Sequence, residues 1–583
     1  MVTDQPSEVE RLPGSRLLLY GCAAAVVLAV LAPLARAGYV LRYDMVFVPR
    51  QPLSWDLFVP SGALPRAVPQ DALVSLSALI MPGWLAQRIA LAGLLAAAAI
   101  GAGRLVPARR DLTRVVAAIG YAWTPFLAER LLIGQWGLLV CYAAMPWLVR
   151  AARDVRLGRP GAGARVVLAA ACAAITPTGG LIALATTLAL ARPPGRSETA
   201  QPTRTAEPTG TAERTGTAGL RWRGRGLGLV LAVVALNAPW LVAAAIATSP
   251  LVSDSRAVAA FAARAENWGG ALVALAGTGG IWNADAVPGS RAAPLVPLIT
   301  IGLLAAAAFG FGRLRQRWPD GTATRLAWLA GGGLLLGAAG ALPGTSDVLR
   351  TAVDLLPGAG LFRDGQKFLI PYALGLVLCI SLGVERIAAR LPGGRLVLVG
   401  FALLPVVTLP DLAWGAGGKL RPVAYPAEWA AVAKTVAAEP GPVLSLPMSA
   451  YRVYSWNPGA AVYDPAGRYL ASPVVADDRL AVDLRPEALV IRGESEAAAA
   501  VRERLAAGGP AADSTIRWVL VQGGNQPAGL TEVYRGTELT LYRNPGYRAQ
   551  ERNPSTGLAG YLLAGSVVAV AGWRRATTRR RQR

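Results

Sequence analysis

The chain has 583 residues, of which 54% are hydrophobic, and it carries a formal charge of +23 with no histidine. Its mean hydropathy of +0.41 leaves too little polar surface to cover a water-soluble fold. The lack of histidine excludes His-based catalytic triads and His metal sites. The four cysteines stand at no metal-ligand spacing, so they define no metal site. The composition indicates a polytopic α-helical membrane protein that is surrounded by the lipid bilayer.

The positive charge is concentrated in short segments between apolar runs, such as RLVPARRDLTR, RLRQRW and the terminal RRATTRRRQR. This distribution is typical of the cytoplasmic loops of membrane proteins. We therefore expect no nucleic-acid partner, although the total charge alone would allow one.

Twelve apolar runs are candidate membrane spans, because a helix of about 20 apolar residues crosses the hydrocarbon layer. With a cytoplasmic N-terminus, alternation places every arginine-rich loop and the C-terminal tail in the cytoplasm. The runs are 17–38, 84–104, 115–128, 136–150, 166–177, 180–191, 227–248, 295–312, 325–342, 367–388, 396–412 and 557–573.

The segment 166–191 is interrupted by Thr176-Pro177-Thr178-Gly179-Gly180. A single tilted helix there would place the next loop and its arginines on the outer side. Two half-helices that meet at the break keep those arginines in the cytoplasm, and we favour this arrangement.

The region after the eleventh span predicts a small α/β domain. Four strand-like runs, PVLSLPM, ALVIR, IRWVLVQ and LTLYR, alternate with two Ala-rich amphipathic segments, PAEWAAVAKTVAAE and ESEAAAAVRERLAAG. The predicted divisions are a cytoplasmic tail (1–16), a transmembrane domain (17–412) with a disordered cytoplasmic linker (192–226), an extracytoplasmic α/β domain (413–556), a last span (557–573) and a basic cytoplasmic tail (574–583).

The first outer loop begins LRYDMVFVPRQPL, directly after the first span. Aromatic and apolar neighbours would hold Asp44 near the membrane interface, where an unpaired carboxylate is costly. We therefore expect Asp44 to have a function or a cationic partner. Arg66 and Asp71 follow in the same loop. For Asp56, simple contact with solvent explains the acid equally well.

A second group is LFRDGQKF, which contains Arg363, Asp364 and Lys367 just before an apolar helix. Arg363 and Lys367 stand four residues apart and would share a helical face. They would then form a two-pronged phosphate site at headgroup depth. An interfacial anchor of snorkelling cations explains the same residues equally well.

A third group is FLAERLLIGQW, which contains Glu129, Arg130 and Gln135. These residues are predicted to lie at the outer edge of a helical hairpin. A cap of the hairpin is the favoured explanation, and support of a nearby site is the alternative.

Many spans, broken membrane segments, an outer-loop acid after the first helix and a late outer domain look like the GT-C superfamily of polyprenyl-phosphate-sugar-dependent glycosyltransferases. More narrowly, YDMVFVPRQPL, PRAVPQDA, FLAERLLIGQW and LFRDGQKF resemble segments of actinobacterial arabinofuranosyltransferase-like integral membrane proteins. The resemblance covers most of residues 15–412 and, more loosely, the outer domain.

The resemblance implies that Asp44 is the catalytic base, because the acid of the first outer loop has that role in the superfamily. Many relatives have two acids in succession there, whereas this chain has one. The resemblance therefore carries over no metal site, and it leaves a divalent cation open as a cofactor. The implied partners are a polyprenyl-phosphate-linked sugar donor, whose phosphate Arg363, Lys367 and Arg66 would bind, and an envelope glycan or glycolipid acceptor on the outer face of the plasma membrane.

Two other classes of function compete with this hypothesis. The first is a transporter or flippase that moves a lipid-linked saccharide, against which the lack of clear inverted repeats counts. The second is a non-catalytic scaffold whose outer domain binds a partner in envelope assembly. The three hypotheses predict different behaviour of a lipid-linked sugar donor: a transferase transfers its sugar, a transporter moves it across the membrane, and a scaffold does neither.

Overall fold

The structure is a computed structural model that describes residues 13–58, 67–192, 226–247, 253–483, 488–523, 526–549 and 557–582. Arg66 and almost all of the predicted linker 192–226 lie outside these ranges.

The described part of the chain before residue 413, and its C-terminal end, are mainly helical. The helices are Pro13–Leu31, Gln70–Ser77, Gly83–Leu105, Asp111–Ala122, Pro125–Leu132, Trp136–Arg156, Ala162–Ala173, Pro177–Leu190, Gly226–Ala235, Ala238–Ala245, Arg256–Ala260, Gly270–Ala276, Val296–Arg317, Thr322–Ala339, Thr345–Leu355, Ile370–Ala388, Gly394–Thr408 and Leu558–Gln582.

Within the described residues, four helical segments are long and apolar enough to cross a membrane: Arg16–Leu34, Gly83–Leu105, Val296–Arg317 and Gly365–Ala388. Two bent helix pairs raise the number to six if each pair is one span. The other predicted spans correspond to helices that are shorter, broken or more polar. The prediction of a membrane protein agrees with these helices, whereas the number of twelve crossings stays a prediction.

Two Thr-Pro pairs account for two of the broken segments. Proline is favourable at the first position of a helix and unfavourable in its interior, and a threonine before it can cap the free N–H groups. The Thr124 side chain accepts a hydrogen bond from Leu127 N at 3.2 Å, and the Thr176 side chain accepts one from Gly179 N at 3.2 Å. The predicted division of 166–191 into two helices is confirmed, and the new helix begins at Pro177, before the glycines.

Glycines allow two of the long helices to approach each other backbone to backbone. A Cβ atom on Gly310 would collide with the carbonyl oxygen of Cys379, and one on Gly383 would collide with that of Ala306. The helices Val296–Arg317 and Ile370–Ala388 therefore depend on these two positions for their contact, as small residues allow in membrane helices.

The region after residue 413 contains a mixed five-stranded sheet. In spatial order its strands are Thr531–Arg535, Thr540–Arg543, Trp518–Val521, Val443–Leu446 and Val474–Val475. Val443–Leu446 runs parallel to both of its neighbours, and the remaining pairs are antiparallel.

Each face of this sheet is covered by one of the two predicted helices. Leu444 and Val519 pack with Val501 of the helix Glu496–Ala506. Val443, Trp518 and Leu520 belong to the core that contains Trp429, Val432 and Val436 of the helix Ala427–Ala438.

One strand prediction needs a correction. ALVIR does form a strand, Ala488–Ile491, but it pairs with Leu480–Asp483 in a separate hairpin. Val482 and Ile491 of this hairpin pack against the short helix Arg256–Ala260. Apolar contacts with this short helix therefore decide the position of the strand.

The first outer loop contributes backbone to the region after residue 413. Tyr39–Val40 pairs antiparallel with Pro422–Val423. The Tyr43 N–H donates to the Ala461 carbonyl at 2.6 Å, and Tyr463 N–H donates to the Tyr43 carbonyl at 2.9 Å. This pairing brings the loop that contains Asp44 against the hairpin Tyr451–Val453 and Ala461–Tyr463.

We expect Gly310→Ala to destabilise the protein by about 1–3 kcal/mol, because the added methyl group forces two backbones apart. The midpoint of thermal unfolding in detergent measures the effect. Gly312→Ala is the control in the same helix, since nothing lies within 4 Å of a Cβ atom there. Equal midpoints for the two variants would contradict the proposed contact.

Candidate active site

A tight turn presents Asp44. Arg42 and Met45 exchange two backbone hydrogen bonds, of 3.2 and 2.9 Å. Tyr43, between them, has a positive φ of 44°, which is an uncommon conformation for a residue with a side chain. Met45 and Phe47 are buried. The turn therefore anchors its apolar side chains in the core and leaves the Asp44 carboxylate half-buried.

Gly134 supports this turn from the helical hairpin. Its φ is +81°, and a Cβ atom on it would collide with Met45 N and the Arg42 carbonyl oxygen. The Asp44 N–H donates to the Ile133 carbonyl at 3.2 Å. The end of the helix Pro125–Leu132 therefore fixes the backbone at Asp44 by direct contact.

Two neutral side chains hold the Asp44 carboxylate. The Tyr451 hydroxyl donates to Oδ1 at 2.6 Å, and Gln135 Nε2 donates to Oδ2 at 3.3 Å. Among the described residues Asp44 forms no ion pair within 4.0 Å. Lys367 is nevertheless close enough for an electrostatic interaction with it. The predicted acid thus lies at a junction between the membrane helices and the outer region.

Arg130 connects Gln135 to the LFRDGQKF segment. Its Nη1 donates to Gln135 Oε1 at 2.7 Å, and its two Nη atoms contact the two oxygens of Asp364 at 2.9 and 3.0 Å. Lys367 Nζ lies 3.4 Å from Asp364 Oδ2. Although burial favours the neutral acid, Arg130 and Lys367 lower the pKa of Asp364 to about 2. Asp364 is therefore an ionised counter-ion.

The expectation that Arg363 and Lys367 share a helical face is wrong. Two separate 3-10 turns, Ala359–Phe362 and Gly365–Leu369, replace the expected helix. The physical reason is the packing of Gly365. It lies so close to the helix Thr322–Ala339 that a Cβ atom on it would collide with the Leu336 carbonyl. The two cations consequently contact different carboxylates.

Arg363 contacts the segment that follows the hairpin of Leu480–Asp483 and Ala488–Ile491. Its Nη1 contacts Glu494 Oε1 at 2.8 Å, and its guanidinium lies 5.4 Å from the centre of the Phe261 ring. Glu494 also accepts a hydrogen bond from Ser253 at 2.6 Å. Lys367, whose side chain is 26% exposed, is therefore the better placed of the two cations to meet a ligand.

The hairpin-cap explanation for Glu129 and Arg130 is also wrong, because both side chains are fully buried. Glu129 Oε2 accepts from Gln366 Nε2 at 2.7 Å, and its carboxyl group adjoins that of Glu266. Burial, and then the charge of Glu266, raise the pKa of Glu129 well above its usual range. Glu266 instead contacts Arg291 at 2.8 Å. These contacts join the hairpin of the helices Pro125–Leu132 and Trp136–Arg156 to the segment that contains Glu266 and Arg291.

Asp71, the other predicted acid, pairs with a residue that the sequence did not single out. Arg468 Nε contacts Asp71 Oδ2 at 2.9 Å, and its Nη1 donates to the carbonyls of Asp44 and Val46 at 3.4 Å each. Arg468 therefore connects both ends of the first outer loop. Tyr451 and Arg468 were missed because no local pattern distinguishes them from other residues of the outer region.

The described residues contain no cluster of three or more His, Cys, Asp or Glu side chains that could hold a metal ion. The acids near Asp44 are instead engaged with tyrosine, glutamine, arginine and lysine. The geometry around Asp44 thus offers a carboxylate base, hydrogen-bond donors and a cation within a few side chains of one another.

Comparison with solved structures shows the class of fold. The chain is similar to the cryo-EM structure of arabinofuranosyltransferase AftD from Mycobacteria, with a TM-score of 0.53 and 17% identity over 91% of this chain. The R1389S mutant of the same enzyme, in its second class, gives a TM-score of 0.50 and 18% identity over 92%. The fold of this chain is therefore similar to that of the AftD structures. The sequence matches no family model and no curated protein.

The chain spans about two fifths of the length of these structures, 40% and 42% respectively. At this identity the likeness concerns the fold alone, and it assigns no reaction to this chain.

We expect Gly134→Ala to destabilise the protein by roughly 2 kcal/mol or more, because it adds both a strained φ and a collision with the Asp44 turn. Gly270→Ala is the matched control, since its φ is +78° but nothing lies within 4 Å of a Cβ atom there. It should cost only about 1 kcal/mol. Thermal unfolding of both detergent-purified variants measures the difference, and an equal loss would show that the close approach to the turn contributes nothing.

Proposed function

We propose that the protein is a membrane glycosyltransferase that moves a sugar, an arabinofuranose in our hypothesis, from a polyprenyl-phosphate donor to an envelope glycan or glycolipid on the outer face. The observation that supports this function is the environment of Asp44. Its carboxylate is oriented by Tyr451 and Gln135 and lies within electrostatic reach of Lys367. The similarity of the fold to that of arabinofuranosyltransferase AftD supports such a reaction.

In the proposed reaction Asp44 is the general base. It takes the proton from an acceptor hydroxyl while that oxygen forms its bond to the anomeric carbon of the donor sugar. The bond from the anomeric carbon to the phosphate oxygen breaks, and its electrons leave with the polyprenyl phosphate. The proton then passes from Asp44 to water. Tyr451 and Gln135 orient the carboxylate by donating to its oxygens and leave its lone pairs accessible from the remaining side.

Lys367 is proposed to bind the donor phosphate, because its ammonium group is partly exposed and close to Asp44. Arg363 and Arg66 are proposed as further cations at this phosphate. The contact of Arg363 with Glu494 makes its contribution a longer-range one. Arg130 and Asp364 have a positioning role, since their mutual contacts bury both groups.

The outer α/β domain, predicted at 413–556, is proposed to hold the acceptor chain on the extracytoplasmic side. Its hairpin strand Tyr451–Val453 supplies the hydroxyl that contacts Asp44. An acceptor bound by this domain would therefore lie beside the proposed base.

We expect Asp44→Asn to reduce sugar transfer at least about 100-fold, because the amide cannot accept the proton of the acceptor. Asparagine keeps an oxygen for the Tyr451 hydroxyl, so the fold should persist. Asp56→Asn, in the same loop, is the control and should transfer normally. Transfer by reconstituted protein, with labelled polyprenyl-phosphate arabinose, measures the effect. Unchanged transfer by folded Asp44→Asn would remove the catalytic role.

We expect Lys367→Met to lower transfer about tenfold at limiting donor concentration, through the loss of a charge-assisted phosphate contact. Asp364 keeps both contacts with Arg130, so its charge remains compensated. Lys419→Met, on an exposed lysine, is the control. A donor titration of both variants distinguishes the outcomes, since identical donor dependence in the two would exclude Lys367 from the donor site.

The same proteoliposomes distinguish the other two classes. Movement of labelled donor across the bilayer without transfer would indicate a transporter. If wild-type protein neither transfers nor moves any donor, the scaffold hypothesis replaces the enzyme.

A further inference from the structure

A large groove lies between helices in the helical part of the molecule. Its volume is about 850 Å³, within the range of sites that hold small molecules. The helices Gly83–Leu105, Trp136–Arg156 and Ala162–Ala173 contribute most of its wall, and the C-terminal helix Leu558–Gln582 contributes Arg575.

The polarity of the groove changes along its length. Ile89, Gly93 and Ala97 lie in the first two thirds of their helix, and the lining there is aliphatic. Arg104, near the end of the same helix, begins the polar part. The other charged lining residues cluster around the turn that joins the next two helices. Arg150 and Asp154 lie in the last two turns of Trp136–Arg156, Arg159 follows that helix, and Arg165 lies in the first turn of Ala162–Ala173. Arg575 lies in the last third of the C-terminal helix.

This basic end has an excess of positive charge, since five arginines and one aspartate line it. Asp154 contacts Arg159 at 2.9 Å and Arg165 at 3.1 Å, so one carboxylate serves two guanidiniums. Burial, followed by the charges of Arg579 and Arg165, lowers the pKa of Arg575. An anion at this end would relieve the repulsion among the arginines.

Arg104 is held in place by neutral groups. Its guanidinium lies over the rings of Tyr20 and Trp147, at 5.3 and 5.9 Å, and donates to the Tyr20 hydroxyl. Among the described residues it has no carboxylate partner within 4.0 Å. Its charge is therefore oriented at the groove without being neutralised there.

The length of the groove fits a lipid. Ile89 and Arg104 are fifteen positions apart on one helix, which corresponds to roughly 22 Å. Half of the hydrocarbon layer is about 15 Å thick. The groove therefore extends from headgroup depth through approximately one leaflet.

We propose that this groove is a binding site for an anionic phospholipid of the bilayer, with the phosphate at the Arg104–Arg150–Arg165 end and an acyl chain along Gly93 and Ala97. An apolar channel that ends in clustered arginines matches both parts of such a molecule. The charge pattern predicts that this end faces the cytoplasmic leaflet. The site is independent of the proposed transfer reaction, because none of its lining residues is among those that contact Asp44 or Lys367.

The test is native mass spectrometry of the full-length, detergent-purified protein, titrated with phosphatidylglycerol or with phosphatidylcholine of the same acyl chains. We expect phosphatidylglycerol to bind about tenfold more tightly, because only its phosphate carries an uncompensated charge. Equal binding of the two lipids would overturn the proposal.

Two arginine variants test the basic end. R104Q/R150Q should lose the preference for phosphatidylglycerol, whereas R390Q/R395Q, which removes the same charge from exposed positions outside the groove, should keep it. If both double variants lose the preference equally, general surface charge explains the binding and the groove does not.

A glycine variant tests the apolar wall. Gly93→Phe should reduce binding of both lipids about tenfold by filling the groove, since nothing lies within 4 Å of a Cβ atom there. Gly302→Phe, at an equally open helical glycine outside the groove, should bind both lipids as the wild type does. Unchanged binding by Gly93→Phe would place the lipid elsewhere.

Discussion

A guanidinium without access to water must be satisfied by the protein around it, and Arg130 imposes this condition at the centre of the molecule. Asp364 neutralises it with two contacts, and Gln135 and Gln366 each accept one further hydrogen bond from its Nη atoms. These contacts join the helical hairpin to the segment before Ile370–Ala388. They also fix the amide of Gln135, whose oxygen is taken by Arg130 so that its nitrogen is directed at Asp44. The orientation of the proposed base thus follows from the burial of a cation.

Local sequence patterns carried most of the information about the helical part. The helices Gly83–Leu105 and Trp136–Arg156 begin within one residue of the predicted starts, because apolar runs and turn residues are local features. The break before Pro177 was predictable for the same reason. The turn that begins at Gly365 could not be predicted in this way, because it depends on a close approach to the Leu336 carbonyl in another helix. Spacing along the chain predicts a shared helical face only where the helix is free to form.

The residues of the candidate site also fall into those that the sequence could reveal and those that depend on tertiary structure. Asp44 could be singled out because it follows an apolar span directly, where an unpaired carboxylate near the membrane interface is costly. Its partner Tyr451 lies 407 residues further along the chain, and Arg468 is equally remote. Neither belongs to a motif, and both are brought to Asp44 by the pairing of Tyr39–Val40 with Pro422–Val423. Such contacts are products of tertiary structure, so a single sequence cannot reveal them.

The two acids at the centre of the site differ in their partners, and this difference separates their roles. Asp364 is held between Arg130 and Lys367, which favour its ionised form so strongly that it is a poor proton acceptor. Asp44 receives its hydrogen bonds from a tyrosine hydroxyl and a glutamine amide, which orient a carboxylate without neutralising it. Cationic partners around one carboxylate and neutral donors around the other allow two neighbouring acids to have separate roles. Asp364 therefore stabilises the local structure, and Asp44 is the acid that we propose as the base.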